Sequence, residues 1–194
     1  MIHNIEPIYD AGSRVLILGS FPSVKSREGQ FFYHHPQNRF WKVIAGLFGE
    51  VVPETIEEKK CLLQRNHIAV WDGIQSCDIC GSSDSSIKNV VPNDLSRILK
   101  TAPVQCIFTN GKKSDQLYKK YCEKVIGQKS ICLPSTSPAN AAWSMERLTE
   151  AWRPVAAATA QKCDPADICG QAAGKCDPAD GCDYAAGKNE WREL

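Results

Sequence analysis

The sequence lacks long apolar runs. None of its apolar stretches reaches the roughly eighteen residues that a membrane-spanning helix needs. The start of the chain also lacks a basic region followed by an apolar one, which is the pattern of a secretory signal. We therefore expect neither a membrane span nor a signal peptide.

The sequence also lacks an excess of one charge. Its 23 Lys and Arg residues stand against 22 Asp and Glu residues, which excludes the strongly basic composition of many nucleic-acid-binding proteins. The charge is uneven along the chain, because residues 1–160 carry 19 basic and 15 acidic side chains whereas residues 161–194 carry 4 and 7. A mildly basic body permits contact with a polyanion but does not by itself indicate one.

The ten cysteines lack the spacing of a disulfide framework. Cys106 and Cys132 lie in apolar runs, where a free thiol behaves as a small hydrophobic side chain. Cys77 and Cys80 form a lone Cys-x-x-Cys pair, and no second pair follows at the spacing of a zinc site. We therefore expect a reducing, cytoplasmic compartment and no bound metal in the body of the chain.

A length of 194 residues allows one domain with a full core. Short apolar runs that end in turn residues predict strands over residues 14–18, 68–71, 105–109 and 130–133. Helical spacing predicts helices over residues 38–47, 54–64, 93–102, 114–125 and 145–160. Gly49 is placed to end the first of these helices, Asn93 or Asp94 to cap the third, and Pro154 to interrupt the last. Residues 81–89 are predicted to be a polar loop.

Strands that alternate with helices predict an α/β fold, a three-layer αβα arrangement around a central, mainly parallel sheet of four strands. Ligands of such sheets bind at the carboxyl ends of the strands. The segments that follow the four predicted strands are residues 19–23, 71–73, 110–112 and 134–140, and most of them are polar or turn-forming. We expect the binding site among them.

Residues 29–41 match neither a strand nor a helix over most of their length. They read Gly-Gln-Phe-Phe-Tyr-His-His-Pro-Gln-Asn-Arg-Phe-Trp, with five aromatic residues in thirteen positions. Flat rings stack on nucleobases and polar groups orient them, which favours a nucleobase pocket. The alternative is a loop that buries its aromatic side chains under the domain.

Three motifs resemble those of the uracil-DNA glycosylase superfamily, and more narrowly its hypoxanthine-DNA (deoxyinosine) glycosylase branch. They are Gly-Ser-Phe-Pro-Ser at 19–23, His-Pro-Gln-Asn-Arg-Phe-Trp at 35–41 and Pro-Ser-Thr-Ser-Pro-Ala-Asn at 134–140. The second block resembles that of mismatch-specific uracil glycosylases as well. In those enzymes the first motif carries a catalytic asparagine, and here Ser20 stands near that position.

The resemblance implies a DNA repair enzyme that flips a deaminated base out of the duplex and hydrolyses its N-glycosidic bond without a cofactor. It assigns the catalytic amide to Asn38, which we expect to accept a hydrogen bond from the attacking water. Ser20 is expected to help place that water. The expected base-binding residues are Gly19, Phe21, Tyr33 and His35 (or the adjacent His34), with Tyr33 stacking on the base and the histidine donating to a purine.

The loop after the fourth strand is expected to contact DNA beside the flipped nucleotide. The residues implied by the resemblance are Ser135, Ser137 and Asn140, with Lys112 adding positive charge. A proline-rich turn before a capped helix would explain the same serines without DNA. The expected partner is damaged DNA, bound by a monomer in the cytoplasm or at the nucleoid.

Two other functions stay open at this point. One is excision of uracil or thymine from mismatches. The other, from a different class, is a flavodoxin-like module that binds a nucleotide without cleaving it.

Residues 161–194 differ in composition from the domain over residues 1–160. Residues 162–174 and 175–187 are two copies of a thirteen-residue unit, identical at ten positions. Their content of Ala, Gly, Asp and Pro predicts a flexible tail. The alternative is a metal site formed by the four cysteines of the repeats, Cys163, Cys169, Cys176 and Cys182, although their spacing is wider than in common zinc sites.

Overall fold

A computed structural model describes residues 1–160. The duplicated segment and its predicted flexibility or metal site lie outside the described residues. Within residues 1–160 the strands are β1 (Val15–Gly19), β2 (Ile68–Asp72), β3 (Ile74–Asp78), β4 (Lys88–Pro92), β5 (Cys106–Asn110) and β6 (Ser130–Leu133). The helices are α1 (Val24–Glu28), α2 (Phe40–Phe48), α3 (Ile56–Arg65), α4 (Ser96–Leu99), α5 (Lys112–Tyr121), α6 (Glu123–Ile126), α7 (Met145–Ala151) and α8 (Arg153–Ala160).

Four strands form the central sheet in the order β2-β1-β5-β6, and every neighbouring pair is parallel. All five residues of β1 and all five of β2 are buried, as expected of strands covered on both faces. Helices α2, α7 and α8 pack together and reach β1 through α8, whereas α5 packs on β5 and β6. Because crossovers between parallel strands are nearly always right-handed, the helices that connect β1 to β2 and those that connect β5 to β6 are expected on opposite faces of the sheet. The predicted three-layer α/β fold is confirmed.

The order of strands places a topological switch point between β1 and β5. From β1 the chain continues to β2 on one side, and from β5 it continues to β6 on the other. Ligands of open α/β sheets bind in the crevice at this point, beyond the carboxyl ends of the strands.

A two-stranded antiparallel hairpin was missed by the sequence analysis. Strands β3 and β4 pair with two register shifts, and a short 3-10 turn (Asp84–Ser86) lies between them. Residues 88 and 89, predicted to belong to a polar loop, are therefore part of β4. The shifts break the alternation of buried and exposed residues, so that Ile74 and Cys77 are buried three positions apart.

Each predicted helix has a counterpart with different ends, but the helix predicted over 114–125 is divided into α5 and α6, and the short α1 was not predicted. Gly49 ends α2 in the left-handed conformation with φ 65°, as predicted. Asp94 accepts a hydrogen bond from the Ser96 amide at 3.1 Å, but α4 is only four residues long. The predicted last helix is divided into α7 and α8 just before Pro154. None of the helices within residues 1–160 combines the length and apolar character that crossing a membrane requires.

Candidate active site

A pocket of about 140 Å³ lies at the carboxyl edge of the central sheet. Its wall is made by residues that end or follow the four parallel strands, by the aromatic stretch and by the hairpin loop: Gly19, Ser20, Phe21, Pro22, Ser23, Ser26, Phe32, Tyr33, Asn38, Asp72, Ser82, Asp84, Asn110, Ser135, Thr136 and Ser137. Sites for drug-sized ligands measure roughly 300–1,000 Å³. The pocket therefore suits one ring system better than a whole nucleotide cofactor.

Asn38 is fixed by a chain of hydrogen bonds that crosses the sheet edge. Asn110 Nδ2 donates to Thr136 Oγ1 at 2.9 Å, and Thr136 Oγ1 donates to Asn38 Oδ1 at 3.0 Å. The Thr136 amide donates to Asn110 Oδ1 at 2.9 Å and the Phe40 amide to Asn38 Oδ1 at 3.0 Å. Backbone amides can only donate, so these two contacts fix the orientation of both side-chain amides. We call Asn38, Asn110 and Thr136 the amide side of the pocket.

These hydrogen bonds change the role that was predicted for the Asn38 oxygen. We expect from the sequence that Oδ1 accepts a hydrogen bond from water, but its two acceptor sites already receive the Phe40 amide and the Thr136 hydroxyl. Within residues 1–160 no acceptor pairs with Asn38 Nδ2. The amide therefore offers donors, rather than an acceptor, to a ligand.

Arg39 joins the second motif to the third. Its guanidinium donates to the carbonyl oxygens of Trp143, Ser137 and Asn140, the last two at 2.9 and 2.8 Å. Its backbone amide donates to the Thr136 carbonyl at 3.1 Å. The Asn-Arg pair thus has two functions, because Asn38 lines the pocket while Arg39 holds the loop after β6 in place.

Tyr33 lines the pocket in a strained backbone conformation. Its φ of 50° is unusual for a bulky residue, and such strain is concentrated at functional sites. The Phe40 ring covers one face of the Tyr33 ring, with 3.9 Å between their centroids. The hydroxyl is buried with no group in full hydrogen-bond geometry, and burial, followed by the nearby Asp72, holds its pKa well above the usual range against a smaller opposing contact with the Asn110 side chain. Tyr33 is therefore a neutral hydrogen-bond donor.

The other aromatic residues of the stretch belong mainly to the core. Phe31, Phe32, Phe40 and Trp41 are all buried, and Phe31 stacks on Trp41. The alternative, in which aromatic side chains of the stretch are buried under the domain, is therefore correct for these four, although Phe40 and Trp41 lie in α2. Of the aromatic residues in this stretch, only the half-buried Tyr33 and the buried Phe32 line the pocket.

Two acidic residues, Asp72 and Asp84, form what we call the acidic side of the pocket. Asp72 ends β2 and is 5% exposed, and its Oδ2 has no hydrogen-bond partner. Burial, and secondarily the neighbouring Asp84, raises the pKa of Asp72 to about 7. Burial also raises the pKa of Asp84, while a hydrogen bond from Ser20 and the charge of Lys113 oppose that rise.

Ser20 contacts the acidic side directly. Its hydroxyl donates to Asp84 Oδ1 at 2.8 Å. Because its only proton is used in this way, the Ser20 oxygen presents acceptor lone pairs.

The remaining predicted site residues divide into two groups. Gly19, Phe21, Ser135 and Ser137 line the pocket, although Phe21 also packs in a small apolar cluster with Ile74 and Cys77. Three others lie outside the pocket lining among the described residues. They are His35, whose Nδ1 accepts from the Gln37 amide, Asn140, whose side chain donates to the Ser135 carbonyl, and the exposed Lys112 at the start of α5.

Four residues of the pocket were not predicted as site residues from the sequence: Asp72, Asp84, Asn110 and Thr136. Asp72 and Asn110 lie within the strand-end segments that were expected to face a ligand. A polar residue that directly ends a buried strand was the available signal. Asp84 gave no such signal, because only the folded hairpin brings it beside Ser20.

Comparison with known proteins identifies the family. Residues 6–157 match the sequence profile described as the uracil DNA glycosylase superfamily. The chain belongs to the uracil DNA glycosylase superfamily.

Two relatives within the superfamily are each named "Hypoxanthine DNA glycosylase". The relative from Methanosarcina acetivorans is 34% identical over 150 residues, which cover 76% of this chain and 93% of the relative. The relative from Methanosarcina barkeri is 32% identical over 136 residues, which cover 69% and 85%. The predicted resemblance to the hypoxanthine branch is thus confirmed.

The fold has a solved counterpart. The solution NMR structure of a candidate uracil DNA glycosylase from Methanosarcina acetivorans matches with a TM-score of 0.70 and 32% identity. The match covers 83% of this chain and all of that one.

Proposed function

We propose that this protein is a DNA glycosylase that hydrolyses the N-glycosidic bond of deoxyinosine in DNA, releases hypoxanthine and leaves an abasic site in an uncut strand. Membership of the superfamily and two relatives that bear this name support the reaction class. The observation that carries the proposal is the Asn38 amide, held at the wall of a base-sized pocket by Thr136 and Phe40.

The substrate base enters the pocket only after it leaves the DNA stack, because a base that is paired inside a duplex cannot reach a pocket in the protein. Tyr33 stacks on the flipped base with Phe40 supporting its rear face. Phe21 provides a second apolar surface. Stacking of this kind contributes about 1–3 kcal/mol per base in proteins that bind single strands.

Asn38 and Ser20 together orient the attacking water. Asn38 Nδ2 donates a hydrogen bond to the water oxygen, and Ser20 Oγ accepts a hydrogen bond from the water because its own proton is committed to Asp84. One lone pair of the water is left to attack C1′ of the sugar. Positioning of a weak nucleophile suits a transition state in which the sugar has oxocarbenium character.

DNA binds across the loop after β6. Ser135 and Ser137 contact the phosphates next to the flipped nucleotide, and Lys112 adds charge at the rim. Asn140 acts through its side-chain bond to the Ser135 carbonyl, which shapes the loop. The protein acts as a monomer on damaged DNA.

A panel of duplexes that differ at one base pair tests this function. The full-length protein is incubated with duplexes that contain deoxyinosine, deoxyuridine, deoxyxanthosine or a thymine mismatch, and the released bases are quantified. We expect hypoxanthine to be released fastest. Faster release of uracil or thymine would favour the mismatch-type function, and binding of free nucleotides without release of any base would favour a binding module.

A further inference from the structure

Asp72 is a buried carboxyl group to which the proposed reaction has so far given no role. It lines the pocket, and its Oδ2 is buried without a hydrogen-bond donor. Asp115 provides a contrast, because it is comparably buried but its Oδ1 accepts from Ser130 at 2.8 Å and its Oδ2 pairs with Lys119 at 2.8 Å. A buried structural carboxylate is normally satisfied in the manner of Asp115. Asp72 is not.

Hydrogen bonds to the backbone of Asp72 and between its neighbours hold the residue in this position. Asn93 Nδ2 donates to the Asp72 carbonyl at 2.9 Å, and the Gly73 amide donates to the Gly19 carbonyl at 2.9 Å. Gly19 leaves room for the carboxyl, since a Cβ atom at this position would lie 2.2 Å from Asp72 Oδ1 and 3.5 Å from the Tyr33 hydroxyl. The carboxyl and the phenol thus approach the same point at the end of β1.

The groups around Asp72 favour its neutral form. Asp84 faces it from the hairpin with a negative charge, and Tyr33 offers a neutral hydroxyl. Lys113 interacts with Asp84 instead. His3 Nε2 contacts the Ile74 carbonyl at 2.7 Å, and His3 is not among the groups that shift the pKa of Asp72. Burial and Asp84 raise the pKa of Asp72 to about 7, which favours its protonated form relative to an ordinary aspartate near neutral pH.

We propose that protonated Asp72 is the general acid that delivers a proton to a ring nitrogen of the departing purine. The role rests on the proposed glycosylase function. As the C1′–N9 bond breaks, its electron pair passes into the base, and the carboxyl proton moves to N3 or N7. Neutral hypoxanthine leaves and the Asp72 carboxylate remains. Water adds to C1′ and gives up a proton, which restores the carboxyl group.

The role predicts a difference between leaving groups. Uracil leaves as an anion whose charge is shared by two carbonyl groups, so its release depends little on a proton donor. A purine benefits more, because its N3 and N7 carry lone pairs that can accept a proton while the C1′–N9 bond breaks, whereas uracil offers only carbonyl oxygens. Asp72 would therefore favour hypoxanthine over uracil.

The test compares wild type with Asp72→Asn, and uses Asp115→Asn as the matched buried control. Single-turnover release of hypoxanthine and of uracil is measured on otherwise identical duplexes between pH 5.5 and 8.5, conditions chosen around the pKa of about 7. General acids contribute on the order of 10²–10⁴-fold. We expect Asp72→Asn to slow hypoxanthine release by about 10²-fold and to slow uracil release far less. Asp115→Asn should leave the ratio of the two rates unchanged.

The pH profile provides a second readout. Wild-type release of hypoxanthine should fall as the pH rises above about 7, and Asp72→Asn should show no such fall. This readout needs only the deoxyinosine duplex, so it holds even where the wild type releases no uracil.

Several outcomes would overturn the role. They are an equal slowing of both bases, full activity of Asp72→Asn, or a wild-type rate that rises with pH through the same range, as expected of a carboxylate base. If the wild type releases hypoxanthine and Asp72→Asn matches it, the role alone fails. If the wild type releases no base from any duplex, the proposed function fails and the role fails with it.

Discussion

The amide side and the acidic side of the pocket differ in how their polar atoms are occupied. On the amide side, Asn110, Thr136 and the Asn38 oxygen are joined in one directed chain of hydrogen bonds. On the acidic side, Asp72 Oδ2 and the adjacent Tyr33 hydroxyl are buried without partners. A saturated network holds geometry, whereas unpaired buried groups cost stability and are retained where a ligand completes them. The amide side therefore positions, and the acidic side exchanges protons.

Replacement of Asn38 should produce the largest effect of any change on the amide side. Asn38→Ala removes the donor that holds the water, and we expect the rate of base release to fall on the order of 10²-fold or more. DNA affinity should change little, because the contribution appears mainly in the transition state. Single-turnover rates and binding titrations with the deoxyinosine duplex measure both quantities. Ser20→Ala should cost less, and the reverse order would move the catalytic centre to the first motif.

Disruption of the chain behind Asn38 should have an intermediate effect. Thr136→Val keeps the shape of the side chain but leaves Asn110 Nδ2 and one Asn38 lone pair without partners. We expect a rate loss on the order of tenfold from misplacement of Asn38 and a loss of about 1–3 kcal/mol in unfolding free energy. Thr136→Ser retains the hydroxyl and is the control. Equal activity of the two variants would show that the chain does not position Asn38.

The acidic side should be visible in the pH dependence of stability. The pKa of Asp72 is raised on folding to about 7, so its contribution is fully present below the unfolded pKa of about 3.9 and is lost as the pH rises through about 7. Asp72→Asn should remove the part of the pH dependence of the unfolding free energy that comes from Asp72. At pH 8 this variant should unfold at a higher denaturant concentration than wild type. Asp84, whose pKa is also raised, leaves a residual slope.

Urea unfolding at pH 5 and pH 8 measures this effect. Asp115→Asn should be less stable than wild type at both values, because it breaks existing bonds. If the unfolding free energy of Asp72→Asn changes between pH 5 and pH 8 as much as that of wild type, Asp72 is not neutral in the folded protein.

Removal of residues 161–194 should have the smallest effect. Both sides of the pocket are built from residues between Gly19 and Ser137, and the match to the superfamily ends at residue 157. We expect truncation after Ala160 to leave folding and base release unchanged and to tighten DNA binding slightly at low salt, since the segment carries 4 basic and 7 acidic side chains. Metal bound by the purified full-length protein, and lost when the four repeat cysteines become serine, would instead support a metal site.

Local patterns explain which parts of the fold the sequence predicts. The four parallel strands are short apolar runs, and each of them lies within a residue or so of its predicted bounds. The β3–β4 hairpin was missed because its register shifts remove the alternation by which a strand is recognised. The aromatic stretch was assigned mainly to the site because its spacing does not indicate which rings are buried. That depends on the helices that pack over it.

The sequence predicts where the site lies better than it predicts the hydrogen bonding and burial of the residues in it. The strand-end segments did converge on one pocket, and Asn38 and Ser20 lie in it. The sequence does not indicate that both acceptor sites of the Asn38 oxygen are occupied, because only the Phe40 amide is a local partner and Thr136 lies far along the chain. Nor does the sequence show that Asp72 is buried without a partner, because its burial depends on tertiary contacts.

The most direct test of the positioning role is the rate of hypoxanthine release by Asn38→Asp. This variant keeps an oxygen to accept from Phe40 and Thr136 but has no amino group to donate into the pocket. If Asn38 acts through its Nδ2 donor, Asn38→Asp should be as slow as Asn38→Ala in single-turnover assays on the deoxyinosine duplex. If Asn38→Asp instead releases hypoxanthine at a rate close to that of wild type, the amide acts through its oxygen, and the division of the pocket into a positioning side and a proton-exchanging side is contradicted.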